Sequence, residues 1–429
     1  MKLDLGFVRR QFPAFAESSL AGQAFLENAG GSYPCGAVVQ RLGEYYRRLK
    51  VQPYYDFPAS TEAGEWMDAS RERLAEYLGV APPEVHFGPS TSQNTYVLAQ
   101  ALRTVLKPGD EIIVTNQDHE ANSGAWRRLA SHGVTVREWR VDPGSGILAE
   151  SELERLLSER TRLLAFPHAS NVVAHINPVA RITARARAAG VITAVDGVAW
   201  APHGLPDVRE LGADIYLFSL YKTYGPHQGL MVVRADLLER LGNEGHYFNA
   251  GEPSKRLVPA GPDHAQVAAA RGIAEYFDAL DAHHGAGTAG GGTSAARAAR
   301  VRALLRGAEV PLLAALLEYL VTRRDVRILG PSVAEQRAAT VSFVPENVEP
   351  REVVRALARR GFMAGNGNFY AVRVLEAMNV DPDRGAVRLS LLHYNSIEEI
   401  NGVIEALEQI LGAQTPPRRG HSSASTVHT

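Results

Sequence analysis

Phe218–Gly229, FSLYKTYGPHQG, sets a single lysine between an apolar run and a turn. Ile215, Tyr216, Leu217 and Phe218 read as a short buried strand, and Gly225-Pro226 stops it. Lys222 follows the strand end, three residues after Ser219. Desolvation at such a place disfavours the ammonium form and leaves a nucleophilic amine, which suits a Schiff base to an aldehyde. Taken alone, the segment also reads as a surface lysine beside a turn, which most lysines are, so its meaning depends on the rest of the chain.

Outward from Lys222, strand and helix patterns alternate. Glu111–Thr115, Val134–Trp139, Arg162–Phe166, Val191–Val195 and Ile215–Ser219 read as strands, and Gly229–Arg234 as an antiparallel neighbour of the last. Trp126–His132, Ser151–Glu159 and Pro178–Ala189 read as helices between them, the second with Ser151 and Glu154 as a capping box. This order predicts an α/β fold, with a mainly parallel sheet between helices and a ligand outside the carboxyl ends of the strands. Ser90–Ser92, His119, His168–Asn171, Asp196 and Ser219–Lys222 each follow the end of an apolar run, which points to one shared site. Gly285–Ser294 (GAGTAGGGTS) reads as a connector and Ala295–Leu320 as a long helix. Strands at Val326–Leu329, Ala339–Val344 and Val387–Leu391, with helices at Arg351–Arg360 and Ile397–Ile410, predict a smaller α+β unit. The expected organisation is an N-terminal segment (1–25) packed with the small unit, a large unit (26–284), a connector (285–295), the small unit (296–412) and a disordered tail (413–429).

Composition bounds the function. The chain has 429 residues, more than one ordinary core, with 45 Lys and Arg against 47 Asp and Glu. The net charge of −2 implies no pull toward nucleic acid or an acidic membrane. Fourteen histidines show no zinc-ligand spacing, and one cysteine, Cys35, excludes an intramolecular disulfide and a cysteine-rich metal site. The start, MKLDLGFVRRQFPAF, lacks the apolar stretch of a signal peptide, and no run is long enough for a membrane span, so a cytoplasmic protein is expected.

FGPSTSQN (87–94), DHEAN (118–122), HASN (168–171), VITAVDG (191–197) and SLYKTYGPH (219–227) occur in that order. Together they resemble the fold-type I pyridoxal 5′-phosphate enzymes of the class V aminotransferase and cysteine desulfurase family, from about Glu27 to Leu411. The resemblance implies a large domain with a mainly parallel seven-stranded sheet and a smaller α+β C-terminal domain. It implies Lys222 as the Schiff-base lysine and proton shuttle, Asp196 as the partner of the pyridine nitrogen and His119 as the residue stacked over the ring. Asn171 would lie near the phenolic oxygen, with His168 beside it either in contact or as a core residue. Thr91, Ser92, Ser219 and Tyr221 would bind phosphate, although Thr91 and Ser92 at a helix start also suit plain capping. Arg388, in VRLSLLHYNSIEE (387–399), would clamp the substrate α-carboxylate. Gly261, in PAGPDHA (259–265), would reach the phosphate of a neighbouring subunit, which makes the expected active unit a homodimer with shared sites. Asn28, Tyr370 and Tyr55 are further candidates for the substrate side. The aromatic loop PYYDFPAS (53–60) that carries Tyr55 reads either as part of the substrate entrance or as a patch buried between subunits.

Two departures narrow the reaction. Desulfurases of this family carry a nucleophilic cysteine in the loop that aligns with GNGNFYA (365–371), and here Tyr370 or its neighbour stands there. Persulfide formation needs a thiolate at that place, so a desulfurase is not expected. Ala199 stands where the family often has Gln or His, with Trp200 and His203 nearby as possible substitutes. What remains is chemistry at Cα of an amino acid. The leading expectation is a C–S β-lyase acting on an S-substituted L-cysteine, similar to the cysteine-conjugate enzymes of sulfur-containing antibiotic biosynthesis, lincosamide-type enzymes among them. Decarboxylation-coupled oxidative deamination, epimerisation and transamination are the alternatives, and a non-catalytic protein that binds the cofactor is a fourth.

Overall fold

Continuous apolar runs fold as strands buried on both faces. In the computed structural model, which describes residues 2–285 and 293–412, β1 (Ala24–Phe25) precedes a large sheet. That sheet contains β2 (Val85–Gly88), β3 (Glu111–Thr115), β4 (Thr135–Trp139), β5 (Thr161–Pro167), β6 (Ile192–Asp196), β7 (Ile215–Ser219) and β8 (Gly229–Val233). Its order is β2-β8-β7-β6-β5-β3-β4, the expected seven strands. β4, β3, β5, β6 and β7 run parallel, and β8 pairs antiparallel with both β7 and β2. Alternate residues supply the two layers. Leu164, Phe166, Val195, Tyr216 and Phe218 enter one core, and Leu163, Ala165, Ala194, Ile215 and Leu217 the other. β3 connects to β4 on one side while β5 lies on its other side, so the carboxyl ends of β3 and β5 form a switch point where a crevice opens.

The second unit contains β9 (Val326–Leu329), β10 (Thr340–Pro345), β11 (Phe362–Met363), β12 (Gly365–Gly367) and β13 (Ala386–Ser390). Four of these form an antiparallel sheet in the order β12-β13-β10-β9, and β11 pairs in parallel with β1. Val341, Phe343, Val387 and Leu389 face a core closed by helices Pro350–Ala358 and Ile397–Gly412. Most of the connector and all of the tail expected at 413–429 lie outside the described residues.

Several expectations need correction. The long helix, Ser294–Thr322, does not belong to one unit. Ala298, Val301 and Leu305 pack in the large core, and Leu312, Leu316 and Leu320 in the small one, with Pro311 at the change-over. The N-terminal segment is likewise shared: Val8 and Phe12 join the large core, and β1 joins β11. No capping box forms at Ser151. The helix starts at Glu150 behind Ala149, because Glu150 is turned to Arg181 and Ser151 falls inside the first turn. The helix expected over Trp126–His132 is a short turn at Gly124–Arg127 followed by a 3₁₀ stretch that Gly133 ends with φ +82°.

Candidate active site

Lys222 lies in the 3₁₀ turn Leu220–Lys222 directly after β7, at one wall of a cleft of ≈ 520 Å³. Asp196, the last residue of β6, and Asn171, in the loop after β5, also line the cleft. His119, after β3, and Thr91 and Ser92, after β2, complete this floor. Sequence expectation and geometry agree in bringing these residues together with Ser219 and Tyr221.

The anion end is built from a helix start. Ser90 is the N-cap of helix Thr91–Leu102, its hydroxyl accepting from Gln93 N–H at 3.2 Å. Capping therefore falls to Ser90 and leaves the next two residues for the cleft. Thr91 Oγ1 and Ser219 Oγ share a 2.8 Å hydrogen bond, and the helix N-terminus adds free N–H groups and its dipole. Gly229, the first residue of β8, makes this junction possible, because a Cβ there would overlap the Ser90–Thr91 peptide. Tyr221 stacks on His227, ring centres 4.4 Å apart.

The titratable groups are tuned by burial. Desolvation lowers Lys222 to about 8; the nearby Arg388 charge adds to this, and Asp196 and Glu27 oppose it. Asp196 is raised to about 6 by burial, against a 2.8 Å hydrogen bond from Val198 N–H and the Lys222 charge. His119 is lowered to about 4 by burial and by Lys222 and Arg388, so it is neutral at pH 7. Its Nδ1 accepts from Ala121 N–H at 3.0 Å, which puts the proton of the neutral ring on Nε2. Asp118, which the sequence reading passed over, fixes this loop from below by accepting from Asn122 Nδ2 at 2.8 Å.

Other candidates lie elsewhere. His168 does not line the cleft. Its ring is buried between Trp200 (4.8 Å) and Tyr216, whose hydroxyl is 2.9 Å from Nδ1. Its backbone N–H donates to Asp196 O at 2.7 Å, continuing the β5–β6 ladder. Asn28 lines an adjoining cavity of ≈ 280 Å³ behind Lys222, but its amide is engaged with Ser390 O (2.8 Å) and with Tyr394. Ala199 lines both spaces, and neither Trp200 nor His203 fills in for a larger residue: Trp200 stacks on His168, and His203 is tied to buried Glu309 at 2.8 Å. Gly261 lies in a separate hollow beside Gln93 and His227. Tyr55 is exposed, stacked on Phe57 and away from the cleft lining.

A roof comes from the small unit. Asn171 Nδ2 donates to Phe369 O at 2.9 Å, and Glu120 N–H donates to Tyr370 O at 2.7 Å. Phe369 and Tyr370 both have positive φ, +52° and +57°, and the Tyr370 ring is 5.4 Å from His119. Arg388 is buried on β13, its guanidinium 4.0 Å over the Phe369 ring and Nη1 3.3 Å from Asn171 O. It is ion-paired with Glu27, a residue the sequence reading did not single out. The only available signal was the glycines that leave room for it, Gly30 and Gly365.

The residues present fit pyridoxal phosphate. Hydroxyls and a helix start suit the phosphate, the Asp196 carboxylate a ring nitrogen, and Lys222 an aldehyde, while Asn171 Oδ1 is a buried acceptor in the wall without a partner. Among the described residues no group of His, Cys, Asp and Glu could hold a metal ion, and no helix is long and apolar enough to cross a membrane.

Comparison with known proteins agrees with this arrangement. The family model for aminotransferase class-V matches residues 24–255 and 305–403. The aminotransferase-like protein FGM3 of Gibberella zeae is 34% identical over 94% of this chain and 98% of its own length. A probable cysteine desulfurase of Pseudomonas aeruginosa is 31% identical over 94% of this chain and 97% of its own. The cysteine desulfurase of Thermococcus onnurineus has the same fold, with a TM-score of 0.83 over 96% of this chain and 99% of its own at 23% identity.

Proposed function

The chain belongs to the class-V aminotransferase family, whose cofactor is pyridoxal phosphate, and on that premise we propose that it is a C–S β-lyase for an S-substituted L-cysteine. The observation that carries this reading is the absence of a thiol where a desulfurase needs one. The loop over the cleft presents Phe369 and Tyr370. Cys35, the one cysteine in the chain, is buried in the large core, its thiol donating to Gly272 O at 3.4 Å and pushed up to about 12 by burial. A β-elimination needs no protein thiol.

When bound, the cofactor supplies an electron sink for the pair released at Cα. The remaining work is done by the chain. Thr91, Ser92, Ser219 and Tyr221 would hold the phosphate, and Asp196 would pair with the ring nitrogen. His119, neutral at pH 7, would face the ring without adding charge. Arg388 takes the α-carboxylate. Lys222, as free amine, removes the α-proton, the Cβ–S bond breaks, and the electron pair and a proton leave with sulfur as a thiol. Hydrolysis of the remaining three-carbon unit consumes one water and yields pyruvate and ammonia. In this reading the cofactor lobe and the small lobe share helix Ser294–Thr322, and Gly261 serves the cleft of a second copy in a cytoplasmic homodimer.

The test is mass-spectrometric product analysis of the cofactor-loaded protein with a panel of S-substituted L-cysteines. The expected products are thiol, pyruvate and ammonia in equal amounts. Alanine with sulfane sulfur from unsubstituted L-cysteine, run beside the panel, would return the chain to the desulfurases. Carbon dioxide with a sulfur-bearing aldehyde would mean that the bond to the carboxylate breaks instead.

A further inference from the structure

Arg388 is already occupied. Its Nη2 is paired with the Glu27 carboxylate, its Nη1 makes only a 3.3 Å contact with Asn171 O, and its Nε is buried without a partner. The pair is built in rather than incidental. Glu27 bridges Ser390 in parallel register, two residues beyond Arg388, so the backbone delivers it to that spot. Gly30 and Gly365 leave the space its carboxylate fills: a Cβ at Gly30 would overlap it, and one at Gly365 would lie 2.9 Å from Oε1. The two partners differ in access, Arg388 being 5% exposed and Glu27 27%.

We propose that Glu27 is an internal carboxylate that sets substrate selectivity, holding Arg388 in the free enzyme and yielding it to the substrate's α-carboxylate. This rests on the reading of Arg388 as the carboxylate site. The electrostatic argument is an exchange. Arg388 and Glu27 together are neutral, so a second anion entering beside them would be buried without a counter-charge. If Glu27 turns out to water as the substrate carboxylate arrives, the charge around Arg388 is unchanged. Glu27 has that route and Arg388 does not. A tethered competitor acts at high effective concentration, so a ligand that offers only a carboxylate is penalised. A substrate with an amine for the cofactor and a side chain for the cleft overcomes the penalty.

Propionate, which has the carboxylate but no amine, is the probe, titrated calorimetrically into the cofactor-loaded protein. Glu27→Gln is expected to bind it about tenfold more tightly than the unaltered chain, a change of about 1.4 kcal/mol. Glu27→Asp, which keeps the charge on a shorter arm, should fall between the two and guards against a folding defect in the first variant. Arg388→Lys in the Glu27→Gln background should abolish the gain. Equal or weaker binding by Glu27→Gln, with binding still lost in Arg388→Lys, would overturn the inference and leave Glu27 as a residue that merely orients Arg388. Propionate binding indifferent to Arg388→Lys would instead remove the carboxylate role of Arg388, and the inference with it.

Discussion

The floor and the roof of the cleft are made in different ways. The floor is a set of residues that each end or follow a strand of one mainly parallel sheet: Thr91, His119, Asn171, Asp196 and Lys222. The roof is assembled from three distant places, Glu27, Phe369–Tyr370 and Arg388, held by pairing between the N-terminus and the small unit. Fold topology alone places a floor residue at the ligand end of its strand. A roof residue depends on which chain ends meet. On the proposed reading, the cofactor would be held by the floor and the substrate carboxylate by the roof.

The largest expected effect lies in the floor. Lys222→Ala should lower kcat by about 10³-fold or more, and reductive trapping should no longer attach the cofactor to the peptide that carries residue 222. A variant retaining near-normal turnover would mean the floor is not the site. In the roof, Arg388→Gln should raise KM for the amino-acid substrate by about 10- to 100-fold with a smaller change in kcat, the value of a lost charged hydrogen bond. A loss in kcat alone would remove the distinction between floor chemistry and roof binding.

The two regions are coupled through charge, and pH exposes it. Only the free amine of Lys222 can capture the cofactor, and its pKa is lowered from 10.5 to about 8 by burial and by Arg388. Cofactor uptake by the cofactor-free protein should therefore climb about tenfold per pH unit below 8 and level off above it. Removing Arg388 takes away a charge that lowers this pKa, so in Arg388→Gln the plateau should begin at higher pH. Stopped-flow uptake across pH checks both, and an unmoved plateau would uncouple roof from floor.

Smaller effects sharpen the picture further. Gly229→Ala forces the Ser90–Thr91 junction apart, and should weaken cofactor binding while costing about 1–3 kcal/mol of stability in thermal unfolding. Tyr370→Ala should raise KM by only about three- to tenfold, the scale of one aromatic contact, because the ring is largely exposed and is paired with the His119 ring.

This division also explains what the sequence made legible. The floor could be read because each of its residues is local to a motif, such as VITAVDG for Asp196 or SLYKTYGPH for Lys222. Periodicity located the strands behind them, since apolar runs such as VITAV are buried on both faces. His168 stayed open between cofactor contact and core residue because a single strand-end position does not reveal which side a ring turns to, and here Trp200 and Tyr216 hold it in the core. The split of helix Ser294–Thr322 between two cores was hidden for a similar reason: its apolar residues run through both halves, and only their partners tell the units apart. Glu27 was invisible because its partner is 361 residues away, and a glutamate near two glycines carries no pattern of its own.

The central claim, that the α-proton is removed and sulfur leaves, is tested most directly with an α-deuterated S-alkyl-L-cysteine. Thiol release and the appearance of deuterium in solvent would be followed together by mass spectrometry. The account predicts that deuterium is lost in step with thiol and that the three carbons are recovered as pyruvate. Deuterium retained in an aldehyde product with release of carbon dioxide, or deuterium lost to solvent with no thiol released, would contradict it.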